Sequence, residues 1–144
     1  MDNLNNQILE ELWITPEQFN LMRADVDTRA PEEACGIMAG NAGRVLKVYP
    51  ATNALHSPVR YQLEPKEQLE IFNEIDELGW DLLGIYHSHP NGPFHPSATD
   101  IQEAYYPDTV YLIWTHSEEE WDYMGFHIRD GKFTEVSIYI SSED

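Results

Sequence analysis

Apolar positions change period several times along the chain, and each change marks an element. Residues 1–12 are polar with few apolar anchors, and residues 8–14 read as a short leading strand or a loose arm. Phe19, Met22 and Val26 then recur at helical spacing, which gives residues 16–30 one apolar face. Thr15-Pro16-Glu17-Gln18 supplies the start: Thr15 can cap, Pro16 suits the first helical position, and Gln18 completes a capping box. The helix is expected to end near residues 28–30, before Pro31. Residues 34–39 are small and apolar with no polar face, which reads as a buried strand. Asn41-Ala42-Gly43 is turn chemistry, and the alternation over residues 44–49 makes that stretch the antiparallel partner of the strand before it.

Residues 50–59 contain Pro50, Asn53, Ser57 and Pro58 and read as a loop, with residues 60–63 a short strand at best. Glu64-Pro65 opens a second helix whose apolar face is Leu69, Ile71, Phe72, Ile75 and Leu78, and Gly79 ends it. Residues 82–87 form a central strand. A third helix is expected to start at Ser97 and run to about Tyr105, stopping before Pro107. Residues 110–115, 123–128 and 133–140 are three further strands, the last two joined by a hairpin turn at Arg129-Asp130-Gly131-Lys132. This order predicts an α+β fold over residues 1–144 as one domain: a curved, mostly antiparallel sheet with flanking helices.

Charge narrows the function. The chain of 144 residues carries 26 acidic and 8 basic side chains, a net charge of −18. Phosphate binding needs clustered Lys and Arg, so a nucleic-acid partner is excluded, as is binding to an anionic membrane surface. A basic face on a partner, or solubility in a salty or crowded medium, accounts for such a balance. No apolar run reaches membrane-spanning length. Cys35 is the single cysteine, so no internal disulfide can form; with no basic and apolar leader visible at the amino terminus, a reducing cytoplasm is the expected setting.

The chemistry concentrates in His87-Ser88-His89-Pro90-Asn91-Gly92-Pro93-Phe94-His95-Pro96-Ser97-Ala98-Thr99-Asp100. At a strand end His87 and His89 point to one side, because side chains alternate with period two. A Pro- and Gly-rich loop can return the chain and bring Asp100 to the same point. Two histidines and a carboxylate make a three-ligand zinc site with a fourth position for water. Asp100 also reads as the third residue of a helix capped by Ser97, and the two roles are compatible. Hydrolysis needs a base as well. Glu33 fits best, because it precedes an apolar strand where a carboxylate is costly; Glu32 is the competitor. Glu33 and Cys35 would share one face of that strand and Glu32 the other. His56, His95, His116 and His127 read as surface or internally satisfied residues, and Cys35 as a small buried hydrophobe. There is no Gly-x-Ser-x-Gly turn, phosphate loop or dinucleotide fingerprint.

Glu33 within Pro31-Glu32-Glu33-Ala34-Cys35-Gly36, followed by His87-Ser88-His89-Pro90, Ser97 and Asp100, resembles the JAMM (MPN-plus, or JAB) metalloprotease motif. The likeness extends over roughly residues 8–140. It implies a JAMM/MPN fold of cytidine deaminase-like architecture and one zinc ion per chain. By that likeness His87, His89 and Asp100 bind the zinc, Glu33 is the general base, and Ser97 stabilises the oxyanion. The family's reaction is hydrolysis of the amide that follows the C-terminal Gly-Gly of a ubiquitin-like protein. The short chain, without large insertions, is more similar to the stand-alone prokaryotic, Mec-like members, which act on ubiquitin-like or sulfur-carrier proteins and in some cases release cysteine from the carrier. Residues 51–63 and 91–96 are the expected walls of the groove for the carrier's tail. A non-catalytic MPN-type scaffold is the alternative, but such members typically lose the ligands that are present here. A JAB-type DNA-repair protein is disfavoured by the acidic charge. A homodimer is the default oligomer.

Overall fold

The computed structural model describes residues 9–141. Its elements are β1 (Glu11–Ile14), α1 (Pro16–Arg29), β2 (Cys35–Asn41), β3 (Arg44–Ala51), α2 (Pro65–Leu78), β4 (Asp81–His89), α3 (Ala98–Gln102), β5 (Val110–Ser117), β6 (Glu120–Arg129) and β7 (Lys132–Ile140). The architecture is α+β, but the sheet is not open. The strands close into a barrel in the order β1-β3-β2-β4-β5-β6-β7.

Closure is the work of β1. Leu12 and Ile14 are fully buried, and β1 runs parallel to β7 from Glu11↔Ser137 to Ile14↔Ile140 while Trp13 meets Arg44 of β3. The sheet is therefore more mixed than the expected, mostly antiparallel one. The pairs β2–β3, β2–β4, β5–β6 and β6–β7 are antiparallel; β1–β3, β1–β7 and β4–β5 are parallel. The portion of the expected leading arm before Leu9 lies outside the described residues. No helix among the described residues is long and apolar enough to cross a membrane.

Local rules account for most element ends. Thr15 and Gln18 form the reciprocal capping box, and Met22 and Val26 are buried against the barrel. Gly79 takes a left-handed φ of 72° to end α2. Asp130 and Gly131 both have positive φ, as a two-residue hairpin turn with the sheet's twist requires. Two expectations need correction. On α2 only Ile75 is buried and Ile71 and Phe72 half-buried, while Leu69 (62%) and Leu78 (48%) face solvent. The helix touches the barrel along the narrow row 68-71-72-75, and the other two leucines fall beside it. α3 ends at Gln102, because the chain turns at Glu103, whose carboxylate pairs with Arg60.

β4 carries buried residues on both of its faces, being central and flanked by β2 and β5. Tyr86 belongs to the cluster with Trp114, Met22 and Val26 under α1, and Ile85 to the cluster with Tyr111, Ile113 and Phe126. The crossing of β2 over Tyr86 is close: a Cβ on Gly36 would lie 2.3 Å from the Tyr86 ring and 2.6 Å from the Tyr49 carbonyl. Only glycine fits there. Gly36→Ala is expected to lower stability by about 1–3 kcal/mol through this overpacking, read as a shift in the urea midpoint with unchanged slope. An unchanged midpoint would contradict the close approach.

Candidate active site

The sheet register builds the site. His87 of β4 stands opposite Cys35 of β2. One residue on, pairing continues past the end of β2: Ser88 N–H donates to the Ala34 carbonyl (3.1 Å), and the Ser88 hydroxyl accepts the Ala34 N–H (2.7 Å). Glu33, the next residue outward, is thereby held beside the end of β4. His87, His89 and Glu33 are all buried, and their ligand atoms lie within 4.8 Å of one another.

The loop after β4 delivers the fourth group. Ser97 caps α3 by accepting the Asp100 N–H (3.0 Å), and Asp100 Oδ2 accepts the Ser97 N–H (2.9 Å). The capping role and the site role coincide, since that same Oδ2 lies 3.1 Å from His87 Nε2 and 2.9 Å from His89 Nε2, with the two nitrogens 3.1 Å apart. In that bond Ser97 Oγ is an acceptor, so its own O–H proton is left to donate.

The donor set fits a cation. His89 Nδ1–H donates to the Pro93 carbonyl (2.7 Å), so in a neutral ring Nε2 presents a lone pair to the site. That lone pair faces Asp100 Oδ2 and His87 Nε2, a cluster that either a proton on His87 Nε2 or a cation among the three atoms would satisfy. Three ligand atoms at zinc's tetrahedral bond lengths would be separated by about 3.3 Å, and the observed edges of 3.1, 3.1 and 2.9 Å are close to that. Glu33, His87 and His89 form an overlapping set. Asp100 Oδ2 is anchored and faces both nitrogens, whereas Glu33 Oε1 has no hydrogen-bond partner among the described residues.

Electrostatics separate the two carboxyls. Burial pushes the Glu33 carboxyl up from 4.5 to about 8, against the opposing pull of His89. Burial also pushes Asp100 upward, but the charge and hydrogen bonds of His87, together with bonds from His89 and the Ser97 N–H, outweigh it and hold Asp100 well below the usual carboxylate range. Burial lowers His87, while for His89 the contacts to Asp100 and Pro93 overcome burial and raise it. The two carboxyls are thus pushed in opposite directions, Asp100 toward the anion and Glu33 toward the acid.

The remaining candidates lie elsewhere. Glu32 points outward and meets the exposed His56 at 3.2 Å. His95 stacks on Phe133, His116 meets Trp121 at a tilt, and buried His127 bonds to the Leu9 carbonyl. Cys35 is buried and its thiol is pushed up to about 12 by burial, which fits an inert hydrophobe. Residues given no chemical role by the motif also contribute: Ser88 ties the two strands, Asn53 holds the Glu33 carbonyl (3.0 Å), and Tyr61 stacks on His87 at 4.4 Å. A serine between two histidines carries a periodicity signal; Asn53 and Tyr61 carry none. A cavity of about 330 Å³ opens beside Asp100, lined by Leu55, Arg60, Tyr61, Gln62, Tyr106 and Tyr111 among others. Loop 91–96 borders a different depression of about 380 Å³ through Phe94, with Ile113 and Met124.

The family model described as prokaryotic homologs of the JAB domain matches residues 15–125. A desampylase of Haloferax volcanii is 43% identical over 86 residues, which is 58% of this chain and 62% of that protein. A CysO-cysteine peptidase of Mycobacterium tuberculosis is 34% identical over 132 residues, 90% of each chain. Among solved structures, a protein from Desulfitobacterium hafniense superposes with a TM-score of 0.82 at 33% identity, covering 92% of this chain and 94% of that one.

The Glu33 carboxyl makes a signed prediction for the metal-free protein. The folded state keeps its proton up to about pH 8, whereas an unfolded carboxyl loses it near 4.5. Between those values the folded state binds the extra proton, so stability falls as pH rises. Chelator-treated Glu33→Gln is expected to be more stable than the chelator-treated parent at pH 8 and no more stable at pH 4. Urea titration at both pH values measures it, and a pH-independent difference would contradict the assignment.

Proposed function

The chain belongs to the prokaryotic JAB family, and from that premise we propose that it is a zinc-dependent peptidase acting on the amide after the C-terminal Gly-Gly of a ubiquitin-like or sulfur-carrier protein. The observation that carries this reading is the convergence of His87 Nε2, His89 Nε2 and Asp100 Oδ2 beside a buried, unpartnered carboxyl. The two relatives named as a desampylase and a CysO-cysteine peptidase support a peptidase.

His87, His89 and Asp100 would hold one zinc ion, which supplies Lewis acidity and makes a water nucleophilic near neutral pH. Glu33 takes the proton of the attacking water and returns it to the leaving amine; burial raises its carboxyl in the metal-free site and a bound cation would bring it back down, which suits a group that both takes and gives a proton. Ser97 donates its hydroxyl proton to the oxygen on which negative charge develops. His89 keeps its ring oriented through the Pro93 carbonyl, and Tyr61 covers the flat face of His87. The cavity beside Asp100, with Tyr61 and Leu55 in its lining, receives the carrier's extended tail. A purely structural module gives no reason to bury a carboxyl whose Oε1 has no partner, which disfavours the scaffold reading.

The direct experiment incubates zinc-loaded protein with carrier fusions, one joined through a lysine isopeptide and one carrying a C-terminal cysteine, and reads the products by intact mass. Cleavage after Gly-Gly in either supports the reading and names the substrate type; no cleavage of any fusion would sink it. Glu33→Gln is expected to keep one zinc per chain and lose about 10²–10⁴-fold in turnover. Asp100→Ala is expected to lose zinc, read by elemental analysis after dialysis. If Asp100 were only a cap, the cost would be about 1 kcal/mol of stability with zinc retained.

A further inference from the structure

The base is the least supported member of the site by its own side chain. Glu33 Oε1 has no hydrogen-bond partner among the described residues, and residue 33 precedes β2, which begins at Cys35. The place of its carboxyl is therefore set by its backbone. Both backbone polar groups of Glu33 end on the loop between β3 and α2. Its N–H donates to the Ser57 carbonyl (2.9 Å), and its carbonyl accepts from Asn53 Nδ2 (3.0 Å).

Asn53 is the fully buried hub of that loop. Besides Glu33, its Nδ2 donates to the carbonyls of Arg60 (3.0 Å) and Ser57 (3.4 Å), and its Oδ1 accepts the N–H groups of Leu55 (3.0 Å) and Gln62 (3.2 Å). One side chain thus shapes the loop that grips Glu33 and grips Glu33 itself. The same loop carries Tyr61, stacked on His87. Its start is fixed from α2, where Glu67 accepts both the Thr52 N–H (2.7 Å) and the Thr52 hydroxyl (2.8 Å).

We propose that Asn53 is a positioning residue, which sets the Glu33 carboxyl against His87 and His89 by holding both ends of the Glu33 backbone, directly at the carbonyl and through Ser57 at the amide. The proposal rests on the assignment of Glu33 as base. The donor half of the amide is what matters, since it reaches Glu33; the acceptor half only closes the loop.

Asn53→Asp keeps the acceptor and removes the donor at nearly constant volume. With zinc content as in the parent, it is expected to lower kcat by about ten- to a hundredfold, the cost of a misplaced catalytic group, while KM stays within about twofold. Amide hydrogen exchange read by NMR should show the Glu33 N–H exchanging at least about tenfold faster, with the Ser88 N–H unchanged. Glu67→Gln, on the helix and outside the buried hub, is a second variant expected to shift the same two readouts in the same direction by less. Unchanged Glu33 exchange, a loss confined to KM, or loss of zinc in step with kcat would each overturn the proposal. The exchange arm needs no substrate: if the parent cleaves no fusion, the proposed activity falls, and exchange at Glu33 still decides whether Asn53 holds it.

Discussion

Two imidazole nitrogens and a carboxylate oxygen held about 3 Å apart out of solvent repel one another unless a proton or a cation lies among them. This constraint organises the structure. The Pro93 carbonyl removes one escape by fixing the His89 tautomer, and the Ser97 N–H removes another by pinning Asp100 Oδ2. The Tyr61 ring stacked on His87 and the Pro93 carbonyl on His89 hold the two rings in place. A metal ion would satisfy all three groups together, and its charge would also lower the cost of a carboxylate at Glu33.

The fold's contribution is to bring distant segments to one point and to hold them without slack. β4 lies between an antiparallel and a parallel neighbour, so the site-bearing end of the strand is paired on both edges. Ser88, between the two histidines, faces away from them and stitches the segment before β2 to β4. β1 closes the barrel by pairing with Ser137–Ile140 of β7 and meeting β3 at Arg44. The loop after β3, organised by Asn53, then holds the Glu33 backbone as the ladder holds that of the histidines.

Much of the site was legible in the sequence, because its parts obey local rules. Alternation predicts that His87 and His89 share a face, and Ser97 with Asp100 reads as a cap whether or not a metal is bound. The choice of Glu33 over Glu32 rested on the cost of burying charge, and the structure puts Glu33 inside and Glu32 on His56. What was not legible depends on pairing across the chain. A four-residue strand such as β1 carries too little pattern to reveal that it lies between β3 and β7. The exposure of Leu69 and Leu78 is set by how narrowly α2 rests on the barrel. Asn53 lies in a stretch read as a loop by composition, where an asparagine ordinarily signals a turn and not a buried hub.

The central claim is that His87, His89 and Asp100 are the ligands and Glu33 stands beside them. Anomalous scattering at the zinc edge from crystals of the zinc-loaded protein tests it most directly. The account predicts one peak per chain, at about 2.0–2.2 Å from His87 Nε2, His89 Nε2 and Asp100 Oδ2, with no Glu33 oxygen at bonding distance. A peak bonded to Glu33 in place of Asp100, or one located away from the two histidines, would contradict it.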